Sequence, residues 1–134
     1  MKKRHLGLVL VVGLSFLLCA GASADIYVNG RTGNRDNDGR SEDDALLTIQ
    51  AGLDRTSSGA VCHIAGEYGG MPIVYSRETN EEDFPIFMKA GVILRGEGNQ
   101  KPIIESSEST SVFFVRNIEQ PTTIEGFKII GDFG

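Results

Sequence analysis

The sequence predicts a mainly β protein that winds as a parallel β-helix, with one amphipathic α-helix over its amino-terminal end. Residues 26–68 read as a short strand, a turn rich in Gly, Asn and Asp, a helix, a Gly turn and a second strand. After residue 91, short apolar runs recur, and each is bounded by Gly, Pro, Asn or Ser. Short strands that recur in this way are typical of the coils of a solenoid.

Two segments look like weak copies of one another. LRGEG at 94–98 and IEGFKIIG at 124–131 share an apolar, a charged and a Gly residue in that order. A period of about 30 residues indicates solenoid coils, although an antiparallel sandwich gives short strands at similar spacing. Tight Asn-Gly hairpin turns are missing between the later runs, which favours the solenoid and leaves the sandwich as the alternative.

The first 24 residues have the features of a secretory signal peptide. Lys2, Lys3 and Arg4 precede an apolar run at 6–20, and the small residues Ala-Ser-Ala follow at 22–24. The apolar run is shorter than the roughly 20 residues that a membrane-spanning helix needs. We therefore expect cleavage after Ala24, no membrane span afterwards, and a protein in the periplasm, the cell envelope or the medium.

Composition excludes some classes of function. The formal net charge is −5 with 13 Lys and Arg against 18 Asp and Glu, and cleavage of the basic leader makes the chain more acidic. Nucleic-acid binding is not expected, since it needs clustered Lys and Arg. Cys62 is the one cysteine left after cleavage, so an intrachain disulfide is excluded and a modest core must stabilise the fold.

Periodicity places the first elements. Residues 29–44 are polar and turn-forming, and then Leu46, Ile49 and Leu53 form one apolar stripe at helical spacing. Ser57, Ser58 and Gly59 are expected to stop this helix. In the strand at 60–65 the side chains alternate, so that Val61 and His63 point outward and Cys62 and Ile64 point inward. The inward set is predicted to be Ile26–Val28, Cys62 and Ile64, Ile93, Ile103, 112–114 and 124–129.

These segments together resemble the amino-terminal module of bacterial pectate-lyase-like β-helix proteins, often described as a domain of unknown function. The shared pieces are Tyr27-Val28, the turn at 33–39, Thr48-Ile49-Gln50, the Gly-bounded strand and Tyr at 59–68, and coil-like segments at 91–98 and 123–131. The resemblance implies the first coils of a right-handed parallel β-helix with a capping α-helix, spanning residues 25–134. It departs at 45–47, where the family often has Pro and an aromatic residue.

The same resemblance implies little about catalysis. Family members of known activity are Ca²⁺-dependent polysaccharide lyases, whose catalytic base and calcium ligands lie on later coils. No residue of this chain matches those positions, so the resemblance transfers no catalytic residue.

A calcium site is the one cofactor hypothesis that the residues suggest. The loop at 34–45 has side-chain oxygens at alternate positions and Gly39 at the sixth position, as in the first half of a calcium loop. Ala45 stands where a bidentate Glu is expected. The alternative is a solvated turn whose Asn and Asp side chains bond their own backbone. The candidate ligands are Asn34, Asp36, Asp38 and Glu42.

Other polar residues favour structural interpretations. His63 faces outward and is interpreted as a surface residue, because a catalytic base needs an orienting partner and a pocket. Cys62 is interpreted as a small buried hydrophobe. The acidic groups at 36–44 and 78–83 are interpreted as surface charge, since glycosidase carboxylates must face each other across a groove. Packing is favoured over sugar stacking for Tyr27, Tyr68 and Tyr75, and no catalytic role is assigned to Lys89, Arg95, Lys101, Arg116 or Lys128.

Three functions remain open from the sequence. The favoured one is a non-catalytic exported β-helix module, or a truncated remnant of a larger cell-envelope protein, that binds an acidic or neutral polysaccharide. The alternatives are a fragment of a Ca²⁺-dependent lyase or hydrolase whose catalytic coils are missing, and a structural or adhesive surface protein. A solenoid needs about three repeats and a second cap, so we expect self-association through the carboxy-terminal coil.

Overall fold

The computed structural model describes residues 23–106 and 111–131. The predicted signal peptide lies outside the described residues except for Ser23 and Ala24. Across the described ranges, no helix is both long and apolar enough to cross a membrane.

The described chain contains eleven short strands and two short helices. The helices are α1 (Ile49–Arg55) and α2 (Arg77–Asn80). The strands are β1 (Ile26–Val28), β2 (Val61–Ala65), β3 (Glu67–Tyr68), β4 (Met71–Pro72), β5 (Val74–Tyr75), β6 (Ile86–Phe87), β7 (Ile93–Glu97), β8 (Ile103–Ser106), β9 (Phe113–Phe114), β10 (Thr123–Glu125) and β11 (Lys128–Gly131). The prediction of a mainly β protein is confirmed.

Parallel pairing dominates the sheets. One sheet has the strand order β1-β2-β7-β10, a second has β11-β8-β5, and β6 pairs with β9. Every one of these pairs is parallel, and among the described strands only the hairpin β3–β4 is antiparallel. The antiparallel sandwich is therefore wrong, because sandwiches are built from antiparallel neighbours.

The two weak copies lie side by side in the four-stranded sheet. Leu94 pairs with Ile124 and Arg95 with Glu125, so the next residues, Gly96 and Gly126, are neighbours. A Cβ on Gly96 would lie 2.3 Å from the carbonyl oxygen of Gly126, which explains why both copies have Gly at this point.

The apolar stripe of the predicted helix is buried, but the helix begins after Leu46, the first residue of that stripe. Leu46, Ile49 and Leu53 are fully buried. Leu46 precedes α1 because its N–H donates to Tyr27 O at 3.0 Å and its carbonyl accepts from Asn29 N at 2.9 Å. These bonds to the chain around β1 hold Leu46 extended, so α1 starts only after Thr48.

A buried carboxylate also fixes the start of α1. Glu82 is fully buried, and its oxygens accept hydrogen bonds from the N–H groups of Ile49 at 2.7 Å and Gln50 at 3.1 Å. Burial raises the pKa of Glu82, although these backbone donors and the Asn80 amide oppose the shift. Glu82 thus satisfies two N–H groups that have no partner within the helix.

The core confirms part of the predicted inward set. Ile26, Val28, Cys62 and Ile64 are buried. Ile93 and Ile103 are only half-buried, whereas their neighbours Leu94 and Ile104 are fully buried, so these two predictions are wrong by one residue. The cause is the register, in which Cys62 lies beside Leu94.

The last strands are more exposed than predicted. Ile124 and Ile129 lie in register with the buried Leu94 and Ile104, yet their exposed fractions are 37% and 51%. β10 and β11 are the outermost strands of their described sheets, so no described strand covers these side chains. In the 112–114 segment, Val112 and Phe113 pack against the core and Phe114 is exposed.

Candidate functional site

The outer face of the four-stranded sheet holds a row of polar and aromatic side chains. Strand alternation turns Cys62 and Ile64 into the core and His63 outward. The parallel register then places Tyr27, His63, Arg95 and Glu125 beside one another on β1, β2, β7 and β10. One position on each strand therefore builds a continuous outward row.

Two carboxylates approach His63 from the neighbouring strands. Asp25 precedes β1 and Glu97 ends β7, and register places them on a diagonal through His63. His63 Nε2 lies 2.9 Å from Asp25 Oδ2, and His63 Nδ1 contacts Glu97 Oε1. Diagonal neighbours on a sheet are about 7–8 Å apart at the backbone, which long side chains can span.

The aromatic ring of Tyr27 supports this cluster. Its centroid lies 4.7 Å from that of the His63 ring, with an interplanar angle of 11°. The His63 side chain is only 15% exposed. The imidazole is therefore held by stacking on one side and by a carboxylate at each nitrogen.

These contacts set the charge of His63. Burial alone would lower the pKa of His63, but the hydrogen bonds to Asp25 and Glu97 outweigh it and raise the pKa. The hydrogen bond between His63 and Asp25, together with one from the Val61 N–H, lowers the pKa of Asp25. An imidazole donates from both nitrogens only when it is protonated. The protonated ring is therefore the form that can donate to Asp25 and Glu97 at the same time.

Arg95 extends the row on the side of β10. Its Nε donates to Glu125 Oε1 at 2.6 Å, and both side chains are partly exposed. This hydrogen bond raises the pKa of Arg95. Arg95 thus has a carboxylate partner of its own beside the His63 cluster.

A cavity of about 310 Å³ opens beside the cluster. Its polar and aromatic lining consists of Tyr27, Asn29, Glu42, His63, Glu67 and Glu97. Three of these side chains are carboxylates and one is a histidine that two carboxylates hold. The cavity is therefore acidic, with an aromatic pair in its wall.

Two of the predicted calcium ligands, Asn34 and Asp38, accept hydrogen bonds from their own turn. Asn34 Oδ1 accepts from Asp36 N, and Asp38 Oδ1 accepts from Arg40 N, each at 2.9 Å, as in the alternative of a self-bonded turn. Glu42 lines the cavity, and the other three do not. Within residues 23–106 and 111–131, no three His, Cys, Asp or Glu side chains converge as a metal-holding group. Calcium binding stays a prediction, which calorimetric titration with Ca²⁺ tests.

Cys62 behaves as the sequence predicts for a small core residue. It is fully buried, and burial raises the pKa of its thiol to about 12. The outward orientation of His63 is also confirmed, but its interpretation as a plain surface residue is wrong, because two carboxylates and the Tyr27 ring leave its side chain only 15% exposed. Alternation shows which way a side chain points, whereas the Asp25–His63–Glu97 cluster depends on the register of strands that lie far apart in sequence.

Comparison with known proteins gives no relative for this chain. No protein-family model, no curated protein and no solved structure matches it.

Proposed function

We propose that this chain is an exported, non-catalytic module that binds polysaccharide on the outer face of its four-stranded sheet. It forms the first coils of a right-handed parallel β-helix, with α1 as the amino-terminal cap. The parallel pairing supports the coil arrangement, since Cys62 pairs with Leu94 and Leu94 with Ile124, a return after about 30 residues. The resemblance of residues 26–68 to pectate-lyase-like modules supports the handedness and the export.

The position of α1 supports its role as a cap. Ile49 and Leu53 are fully buried, and Gly52 of α1 packs against Val28 of β1. β1 is the first strand of the four-stranded sheet, and its outer edge would be open without the backbone hydrogen bonds that Gly39 and Leu46, which precede α1, make to Tyr27 and Asn29. An open edge of this kind would invite pairing with another chain.

The observation on which the binding proposal depends is the Tyr27–His63 stack in the wall of the acidic cavity. Aromatic rings offer an apolar face to the C–H groups of a sugar ring, and a tyrosine hydroxyl and carboxylates accept hydrogen bonds from sugar hydroxyls. Ligand sites combine such an apolar wall with a few placed polar groups.

The charge of the cavity favours a neutral polysaccharide over an acidic one. Glu42, Glu67 and Glu97 line the cavity, and His63 is the one basic side chain in its lining. A uronate carboxylate would meet like charge there, and like charges at an interface are costly.

Hydrolysis is the second candidate, because the cavity brings the carboxylates of Glu67 and Glu97 to one opening. Glycosidases use two such groups on either side of the scissile bond. Release of reducing ends from neutral polysaccharides, abolished in Glu67→Gln and Glu97→Gln, would establish this activity in place of simple binding.

Calorimetry and an oligosaccharide array test the binding proposal. We expect the full chain to bind neutral oligosaccharides and to bind oligogalacturonate more weakly. Tyr27→Ala should weaken binding about tenfold, the effect of one aromatic stack. Tyr68→Ala, which removes an exposed tyrosine outside this cavity, is the matched control and should leave binding unchanged. Equal losses in both variants, or tighter binding of oligogalacturonate, would contradict the proposal.

A further inference from the structure

The His63 side chain of β2 joins groups from its two neighbouring strands, β1 and β7. Asp25 faces its Nε2, Glu97 faces its Nδ1, and Tyr27 stacks on its ring. Arg95 of β7 lies beside His63 in register, and the carboxylates of Glu42 and Glu67 line the same cavity as His63 and Glu97. The Arg95 guanidinium is bonded to Glu125 of β10, so the imidazole is the donor that Asp25 and Glu97 share.

The two carboxylates are not held equally. Asp25 Oδ1 also accepts a hydrogen bond from the Val61 N–H at 3.1 Å, whereas among the described residues the Glu97 carboxylate is hydrogen-bonded to His63 alone. Glu97 lines the cavity, and Asp25 does not. Because a neutral imidazole has only one N–H, loss of its proton must leave one carboxylate facing a ring lone pair.

We propose that His63 is a proton-controlled latch for Glu97, which holds this carboxylate against the sheet when the ring is charged and releases it into the cavity when the ring is neutral. The remaining proton stays on Nε2, because Asp25 is fixed by Val61 and remains in place to accept it. The Nδ1 lone pair then repels Glu97, which has no second donor among the described residues.

The functional consequence of the latch rests on the proposed function, because the cavity that Glu97 lines is the proposed sugar site. In the latched state the cavity wall is ordered before the ligand arrives, and such preorganisation strengthens binding. Release of Glu97 removes that order and leaves a free carboxylate in the cavity. Affinity for a neutral sugar should therefore fall as the pH rises.

Nitrogen NMR of the full chain tests the latch without any ligand. Spectra of the imidazole nitrogens from about pH 5 to about pH 9 give both the titration midpoint and the neutral tautomer, and His63→Gln distinguishes His63 from His5. We expect a midpoint above the usual 6.5 and a neutral ring with its proton on Nε2. Glu97→Gln should lower the midpoint, whereas the same change at the exposed Glu105 of β8 should not. A neutral ring protonated on Nδ1, or a midpoint that Glu97→Gln does not change, would overturn the latch.

Affinity measured over the same pH range tests the coupling to the cavity. The dissociation constant of a neutral oligosaccharide should rise several-fold as the pH passes the His63 midpoint, and it should stay flat in Glu97→Gln. A pH-independent constant in the unsubstituted chain would overturn the coupling. If no oligosaccharide binds at any pH, the proposed function fails, and the NMR titration still decides for or against the latch.

Discussion

Replacing Gly52 by Ala tests how closely α1 packs on the sheet. Gly52 is buried in the middle of α1, and a Cβ at this position would lie 2.3 Å from Val28 Cγ2 and 2.9 Å from Cys62 Sγ. Non-bonded carbon atoms normally approach to about 3.5–4.0 Å. Either Val28 or the helix backbone must therefore move by more than an ångström for the methyl group to fit.

Two effects of Gly52→Ala oppose each other. In a helix interior, Ala is more favourable than Gly by about 1 kcal/mol. Forcing an extra methyl group into a close-packed core costs about 1–3 kcal/mol, and here the cost should lie near the upper end, because the β-branched Val28 has little freedom to rotate. We therefore expect the free energy of unfolding to fall by about 1–2 kcal/mol.

Urea unfolding of a double-mutant cycle measures this clash. Val28→Ala removes Cγ2, so Gly52→Ala should cost less in the Val28→Ala background than alone, with a coupling energy of about 1 kcal/mol or more. An unchanged slope of the free energy of unfolding against urea concentration would show that the variants unfold from a similar native state. If Gly52→Ala leaves the stability equal or higher, or if the two changes are additive, α1 does not pack on β1 as described.

Three further predictions concern buried and titrating groups. Glu82→Gln places an amide donor against one of the two α1 N–H groups that donate to Glu82. Urea unfolding should show that the free energy of unfolding falls by about 1–3 kcal/mol. Because the pKa of His63 is raised in the folded state, its contribution to stability is complete below pH 6.5 and is lost as the pH rises through the folded-state pKa. Because the pKa of Asp25 is lowered, its contribution is complete above pH 3.8 and is lost as the pH falls through the folded-state pKa. The cluster should thus stabilise most between these values, by about 1 kcal/mol for partly exposed pairs, and chemical unfolding of His63→Gln should lack the loss at high pH. The Cys62 thiol, with its pKa raised to about 12, should react with a thiol reagent at the rate of unfolding, and fast labelling of Cys62 in the native chain would contradict its burial.

The helix stripe and the core face of β2 were predictable because they depend on local periodicity. Leu46, Ile49 and Leu53 recur at helical spacing, and Cys62 and Ile64 alternate with outward residues. Ile93 and Ile103 were assigned to the wrong face because each has an apolar neighbour, so alternation of apolar residues is undefined there. The charged residues two positions later, Arg95 and Glu105, contained the missing signal, since both point outward and so do positions two residues away.

The Asp25–His63–Glu97 cluster and the role of Glu82 were not predictable in the same way. Each depends on contacts between segments that lie more than 30 residues apart. A sequence shows which residues share a strand face, but which strands become neighbours, and in what register, depends on packing between distant segments. Glu82 looked like one member of an acidic surface run, and only its position at the start of α1 gives it two backbone donors.

The core and the candidate site nevertheless depend on one register. The pairing that stacks Cys62 on Leu94 inside the sheet also places His63 between Asp25 and Glu97 outside it. A slip of one residue would expose Leu94 and turn Arg95 into the core, because side chains alternate with a period of two. Exposure of a core leucine costs about 1.5–3 kcal/mol and burial of an unpaired charge costs more, so together they outweigh what the partly exposed ion pairs could supply. The apolar core therefore fixes the register, and the polar cluster takes its geometry from the core.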